Sequence, residues 1–250
     1  QTNILDWLEA TSARCPDAPL WGMTRQLYLG QLADTARRAG SFLASRTMPR
    51  RPVAFYLEKS VSAFAAMLGT VYAGCCYSVL DTRQPLPHFA GVGHFDPAFL
   101  VTDEAHAAAA AALGYSGQII RLDDLLAAPA DAALLANRRC QAVDVTLDIN
   151  FTSGSTGVPK GVTVSHRSVL DFIPQFAEIF GITQNDILGN QAPFDFDVSV
   201  KTDTALYTGA KVQIIPRAYF SQPTKLMDYL ADHEVTILVW AVSACALSPS

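Results

Sequence analysis

The chain has 250 residues, half of them hydrophobic and 16% charged, which excludes intrinsic disorder and leaves enough apolar material for one large or two small cores. A formal net charge of −5, with no lysine or arginine run, argues against nucleic acid as a partner. No apolar run reaches membrane-spanning length, no secretory leader pattern opens the chain, and Cys15, Cys75, Cys76, Cys140 and Cys245 lack metal-ligand spacing, so the expectation is a soluble cytoplasmic protein with reduced thiols.

Ile4, Leu5, Trp7 and Leu8 lie at roughly helical spacing before Pro16 and predict a short amphipathic helix. Residues 26–29 read as a short β segment. Leu32, Ala36, Ala39, Phe42 and Leu43 then mark the buried face of a helix over 31–45. Val53–Leu57 predicts a strand, 60–73 a helix with Gly74 as its stop, and 76–80 a second strand. That alternation predicts parallel pairing with a right-handed crossover. Further strands are expected at 98–102 and 119–122, and helices over 104–113 and 123–136. After residue 166 the pattern predicts a helix over 168–180, strands at 187–193 and 211–215, a helix over 226–233 and a last strand at 235–239. The fold class is therefore α/β.

Between the apolar approach (Val143, Val145, Leu147, Ile149, Phe151) and a β-rich exit (Val162, Thr163, Val164) lies Asn150–His166, reading NFTSGSTGVPKGVTVSH. Gly154 and Gly157 let the backbone turn its N–H groups around an anion. Thr152, Ser153, Ser155 and Thr156 bring hydroxyl donors, and Lys160 adds a compact positive charge. The composition is that of a phosphate-cradling loop. It is not a Walker loop, because Pro159 stands where that pattern needs its second glycine. Pro159 points instead to a strand–loop–strand setting.

TSGSTGVPKG resembles the ATP-phosphate signature of the adenylate-forming superfamily, which comprises acyl-CoA synthetases, luciferases and the amino-acid adenylation domains of nonribosomal peptide synthetases. Other segments fit in the same order: Leu27–Leu32 (LYLGQL) is similar to an early L-T-Y-x-E-L, Met67–Pro87 to L-K-A-G-x-x-Y-x-P-x-D, and Phe196–Ser199 (FDVS) to F-D-x-S. The resemblance implies ATP with Mg2+, the β- and γ-phosphates on Thr152, Ser153, Gly154, Ser155, Thr156, Gly157 and Lys160, and Thr156 near the metal. It implies a substrate pocket lined by Phe196, Asp197, Val198, Lys201 and Val239. In amino-acid-activating members the aspartate of F-D-x-S pairs with the substrate ammonium, so Asp197 favours an amino acid, similar to the D-alanine–carrier protein ligases. The acceptor would be the phosphopantetheine thiol of a carrier protein. Two other readings of the residues stay open: Asp197 as the cap of a helix starting near Ser199, and Lys201 paired with a substrate acid, with Asp203, or facing solvent. His166, six residues past Lys160, is left out of the catalytic set.

The resemblance covers the chain only as the first half of such an enzyme. The stretch from FDVS to Leu-Tyr-Thr-Gly-Ala is one residue shorter than the usual pattern. The later Y-G-P-T-E-like and Y-x-T-G-D segments and the C-terminal lid with its catalytic lysine are not found. The expectation is an incomplete N-terminal core of two stacked αβ subdomains with mostly parallel sheets, about 50–185 forming the first and about 1–49 with 186–250 the second, inactive by itself. An acyl- or aryl-CoA ligase is the alternative enzyme, and a non-catalytic nucleotide-binding or scaffold fragment the alternative outside catalysis.

Overall fold

The computed structural model describes residues 1–22, 25–83, 95–139, 144–152 and 159–240, without the side chains of Asp197 and Val198. Two sheets organise these residues. One is six-stranded, built from β3 (Pro52–Tyr56), β4 (Cys76–Val79), β5 (Phe99–Thr102), β6 (Gln118–Arg121), β7 (Thr146–Thr152) and β8 (Lys160–Ser165), in the order β6-β5-β3-β4-β7-β8. All its pairings are parallel except the β7–β8 hairpin. The other is five-stranded, from β1 (Pro19–Trp21), β2 (Gln26–Tyr28), β9 (Ile187–Asn190), β10 (Lys211–Ile214) and β11 (Ile237–Leu238), in the order β11-β9-β10-β1-β2. Only β1–β2 is antiparallel there. The expected α/β class with two mostly parallel sheets is what the chain adopts.

Helices α1 (Leu5–Arg14), α2 (Leu29–Ala44) and α3 (Val61–Tyr72) share one core with strands of both sheets, through Leu20, Val53, Phe55, Val212 and Ile214. α3 is apolar all round and buried along almost its whole length, as a helix between two sheets must be. It starts on Ser60, whose hydroxyl accepts from the Ala63 N–H at 3.0 Å. It ends at Tyr72, two residues before Gly74, which has φ 72° and where a Cβ would stand 2.5 Å from the Arg138 carbonyl. Packing of α2 on α3 is close enough that Gly40 and Gly69 have no room for a side chain.

The remaining helices are α4 (Ala107–Ala112), α5 (Leu122–Ala127), α6 (Ala132–Arg138), α7 (His166–Ile179), α8 (Thr204–Thr208) and α9 (Pro223–Asp232), with 3₁₀ turns at Asp197–Asp203 and Arg217–Ser221. Three expectations need correction. The helix expected over 123–136 is two helices, because Pro129 stops the first and Asp131 caps the second by accepting from the Leu134 N–H at 2.9 Å. The last strand pairs only at Ile237 and Leu238. The alanine-rich helix spans six residues, since alanines bury too little to extend it. No helix among the described residues is long and apolar enough to cross a membrane.

Candidate functional site

The strand–loop–strand setting expected from Pro159 is present. β7 and β8 pair from Thr146↔Ser165 up to Thr152↔Lys160, so the two ends of the loop face each other at the hairpin mouth. The Thr152 hydroxyl donates to the Lys160 carbonyl at 3.4 Å, and both residues are exposed. A Cβ on Gly161 would stand 3.1 Å from Ile149 Cγ2 and 3.3 Å from Phe151 Cε1, so the hairpin is closely packed at this point. Ser153, Gly154, Ser155, Thr156 and Gly157 lie outside the described residues. Of the seven residues read as phosphate-binding, the structure thus brings Thr152 and Lys160 together.

His166, just past β8, is 2% exposed and its Nδ1 accepts the Ile4 N–H at 3.4 Å. Burial lowers its pKa to about 4, so the ring is neutral and holds the chain's first helix against α7.

Lys201 and Val239 line one small slot with Phe176, Leu188, Asn190 and Thr202, of about 20 Å³, room for about one water. The Lys201 ammonium stands 5.3 Å from the Phe172 ring centre and 5.9 Å from that of Phe176. Phe196 is 48% exposed and does not line the slot. Asp197 opens the 3₁₀ turn, whose N-cap position is Phe196 rather than the aspartate; nothing is described of the Asp197 and Val198 side chains.

Beyond Lys201 lies a chamber of about 300 Å³ lined by Tyr77, Asp148, Asn150, Phe172 and Val200, among others. Lys201 borders both spaces. The hairpin that carries the glycine-rich loop and the turn that carries Lys201 therefore meet across one chamber. Asp148 keeps one oxygen, Oδ1, without a hydrogen-bond partner, while its other oxygen accepts from Asn150 Nδ2 at 2.6 Å. Burial raises its pKa to about 7, and that of the 3%-exposed Asp203 to about 8.

A third space, a cleft of about 900 Å³, opens past the carboxyl ends of β3, β5, β6 and β10 and is bordered by Lys59, Ser60, Arg83, Asp103 and Arg217. It sits where the strand order of the six-stranded sheet reverses between β3 and β5, the place where open α/β sheets accept ligands. Sequence reasoning gave none of its residues a functional role, did not single out Asp148, and raised Asp203 only as a pairing partner for Lys201. The usable signal was Glu58-Lys59-Ser60, charged and polar residues set directly after a buried strand. Among the described residues no group of three or more His, Cys, Asp or Glu side chains is placed to hold a metal ion. The Mg2+ assignment rests on Thr156, outside the described residues.

A profile of the family described as AMP-binding enzyme matches residues 8–246. Syringomycin synthase SyrB1 of Pseudomonas syringae pv. syringae is 31% identical over 196 residues, 77% of this chain and 31% of that protein. An L-proline--[L-prolyl-carrier protein] ligase of Pseudomonas fluorescens is 31% identical over 198 residues, 74% of this chain and 39% of its own length. The nonribosomal peptide synthetase FmoA3 (S1046A), solved in its alpha-methyl-L-serine-AMP bound form, superposes with a TM-score of 0.83 at 26% identity, covering 94% of this chain and 26% of that one. The o-succinylbenzoate coenzyme A synthetase of Bacillus subtilis shares the fold with a TM-score of 0.80 at 20% identity, over 98% of this chain and 65% of that one. The chain thus spans well under half the length of these two curated relatives.

Proposed function

The chain belongs to the AMP-binding enzyme family, and from that premise we propose that it is the N-terminal core of a ligase that adenylates an amino acid. In that reaction a carboxylate oxygen of the acid bonds to the α-phosphorus of ATP while the bond to the pyrophosphate oxygen breaks, giving an aminoacyl-AMP and pyrophosphate. The observation that carries the reading is the hairpin, which holds Thr152 and Lys160 opposite each other at the mouth of a glycine-rich loop. Lys160 opposes the phosphate charge there, and Ser153, Gly154, Ser155, Thr156 and Gly157 supply hydroxyl and backbone donors, an arrangement that works by positioning and electrostatics.

The acid binds in the neighbourhood of Lys201 and Val239, with Phe196, Asp197 and Val198 the further residues the resemblance assigns to it. Asp197 pairs with the substrate ammonium, and the chamber that Lys201 also borders is the larger space next to that position. Support for the amino acid comes from the peptide synthetases and prolyl-carrier protein ligase among the relatives. By the same reading the aminoacyl group passes to a carrier-protein phosphopantetheine thiol, Mg2+ accompanies ATP, and the protein works in the cytoplasm. The subdomain division at about 50–185 against 1–49 with 186–250 is supported by the sheets, which fall within 52–165 and within 19–28 with 187–238.

Asp197→Asn tests the substrate class. In the protein as its gene encodes it, amino-acid-dependent ATP–pyrophosphate exchange should fall by about tenfold or more, the loss expected of a charge-assisted hydrogen bond, with ATP dependence unchanged. Full exchange by the variant would favour the acyl- or aryl-CoA ligase.

A further inference from the structure

A lysine side chain at a strand end ordinarily carries its ammonium out to water. Lys59, three residues past β3, does the opposite. Its Nζ reaches across to the end of β9 in the other sheet, 3.0 Å from the Asn190 carbonyl, 3.1 Å from Asn190 Oδ1, 2.6 Å from the Gln191 carbonyl and 3.4 Å from that of Ala192. Its three protons are thus taken up by one short segment. The relay continues, because Asn190 Nδ2 donates to Thr202 Oγ1 at 2.8 Å, inside the 3₁₀ turn that carries Lys201. Asn190, Gln191, Ala192, Lys201 and Thr202 are all walls of the slot.

We propose that Lys59 is a positioning residue for the acid substrate, fixing the polar wall of the slot to the sheet that carries the glycine-rich loop. The proposal rests on the reading of that slot as the acid site. Lys59 is not itself a wall of the slot; it sets where Asn190–Ala192 and, through Thr202, Lys201 stand relative to β3. Without its ammonium the Gln191 and Ala192 carbonyls lose a charged donor, and the segment relaxes into the slot.

The test compares Lys59→Met and Lys59→Arg with the unmodified protein as its gene encodes it. ATP–pyrophosphate exchange is titrated separately in acid substrate and in ATP, and amide hydrogen exchange is followed across the chain. Lys59→Met should raise the KM for the acid about tenfold, the size of one lost charged hydrogen bond, and leave that for ATP within about twofold. Lys59→Arg, which can donate to the same carbonyls, should return the acid KM to within about threefold. Faster amide exchange in Lys59→Met should be confined to residues 187–202. Equal increases in both KM values with protection lost throughout would overturn the proposal, as would an unchanged acid KM. If the unmodified protein activates no acid at all, the reading of the slot fails. The amide exchange then decides the strut, a change confined to 187–202 keeping it and an unchanged pattern removing it.

Discussion

Asp148 and Asp203 are carboxyl groups held in the interior, and both release their protons near neutrality or above, at about 7 and about 8, because burial disfavours the charged form. The unfolded chain releases them near pH 3.8, so the stability they contribute is full below that value and is lost as pH rises toward 8. His166 works in the other direction: its pKa, lowered to about 4, gives stability that is present above about 6.5 and lost as pH falls through 4. Burial lowers the Lys59 pKa from 10.5 to about 7, so the stability linked to it rises between those values, and the ammonium that holds Asn190–Ala192 is fullest below 7. Asp203→Asn should therefore shrink the drop in stability between pH 5 and pH 8, on the order of 1–3 kcal/mol, in urea unfolding at the two pH values. An identical drop in the variant would show that Asp203 is ionised at both. At the glycine-rich loop, Lys160→Ala should raise the KM for ATP about tenfold and leave that for the acid unchanged; unaltered ATP dependence would remove Lys160 from the phosphate site. The motif residues were legible because their types are demanded by chemistry. Asp148 was not: the register shift between Thr146 and Asp148 breaks the alternation along β7, so the side on which it falls cannot be counted from its neighbours.

Among the elements, those with one strong period or an unmistakable cap were readable. α3 announces itself by an apolar run between Ser60 and Gly74, and α2 by its stripe of Leu32, Ala36, Ala39 and Leu43, all buried. What the pattern did not carry was how closely those two helices approach. An ideal Cβ on Gly69 would lie 2.5 Å from the Ala39 Cβ and 2.9 Å from the Ala36 carbonyl, and one on Gly40 would lie 2.6 Å from the Tyr72 Cβ. These are atoms without freedom to retreat. Gly69→Ala should cost about 1–3 kcal/mol in chemical denaturation despite its better helix propensity; a neutral or stabilising effect would mean the helices can separate. The shortened β11 and the split helix before β7 were missed for different reasons. The first pairs only Ile237 with Leu188 and Leu238 with Gly189, an extent its apolar run does not set; the second ends on a proline that periodicity alone steps over.

Across the whole molecule, the alternation of strands and helices was enough to give the class, while the division into two sheets depends on pairings between segments far apart in the chain, such as β1 with β10. Those pairings bring the hairpin, the slot and the chamber into one neighbourhood, and they make Lys59 a link between sheets rather than a surface charge. The measurement that bears most directly on this account is ATP–pyrophosphate exchange by the protein as its gene encodes it, run against a panel of amino acids alongside fatty and aryl acids. Exchange that depends on one amino acid, and is absent with the deaminated form of the same acid, is the expected result. Exchange with fatty or aryl acids alone would contradict it.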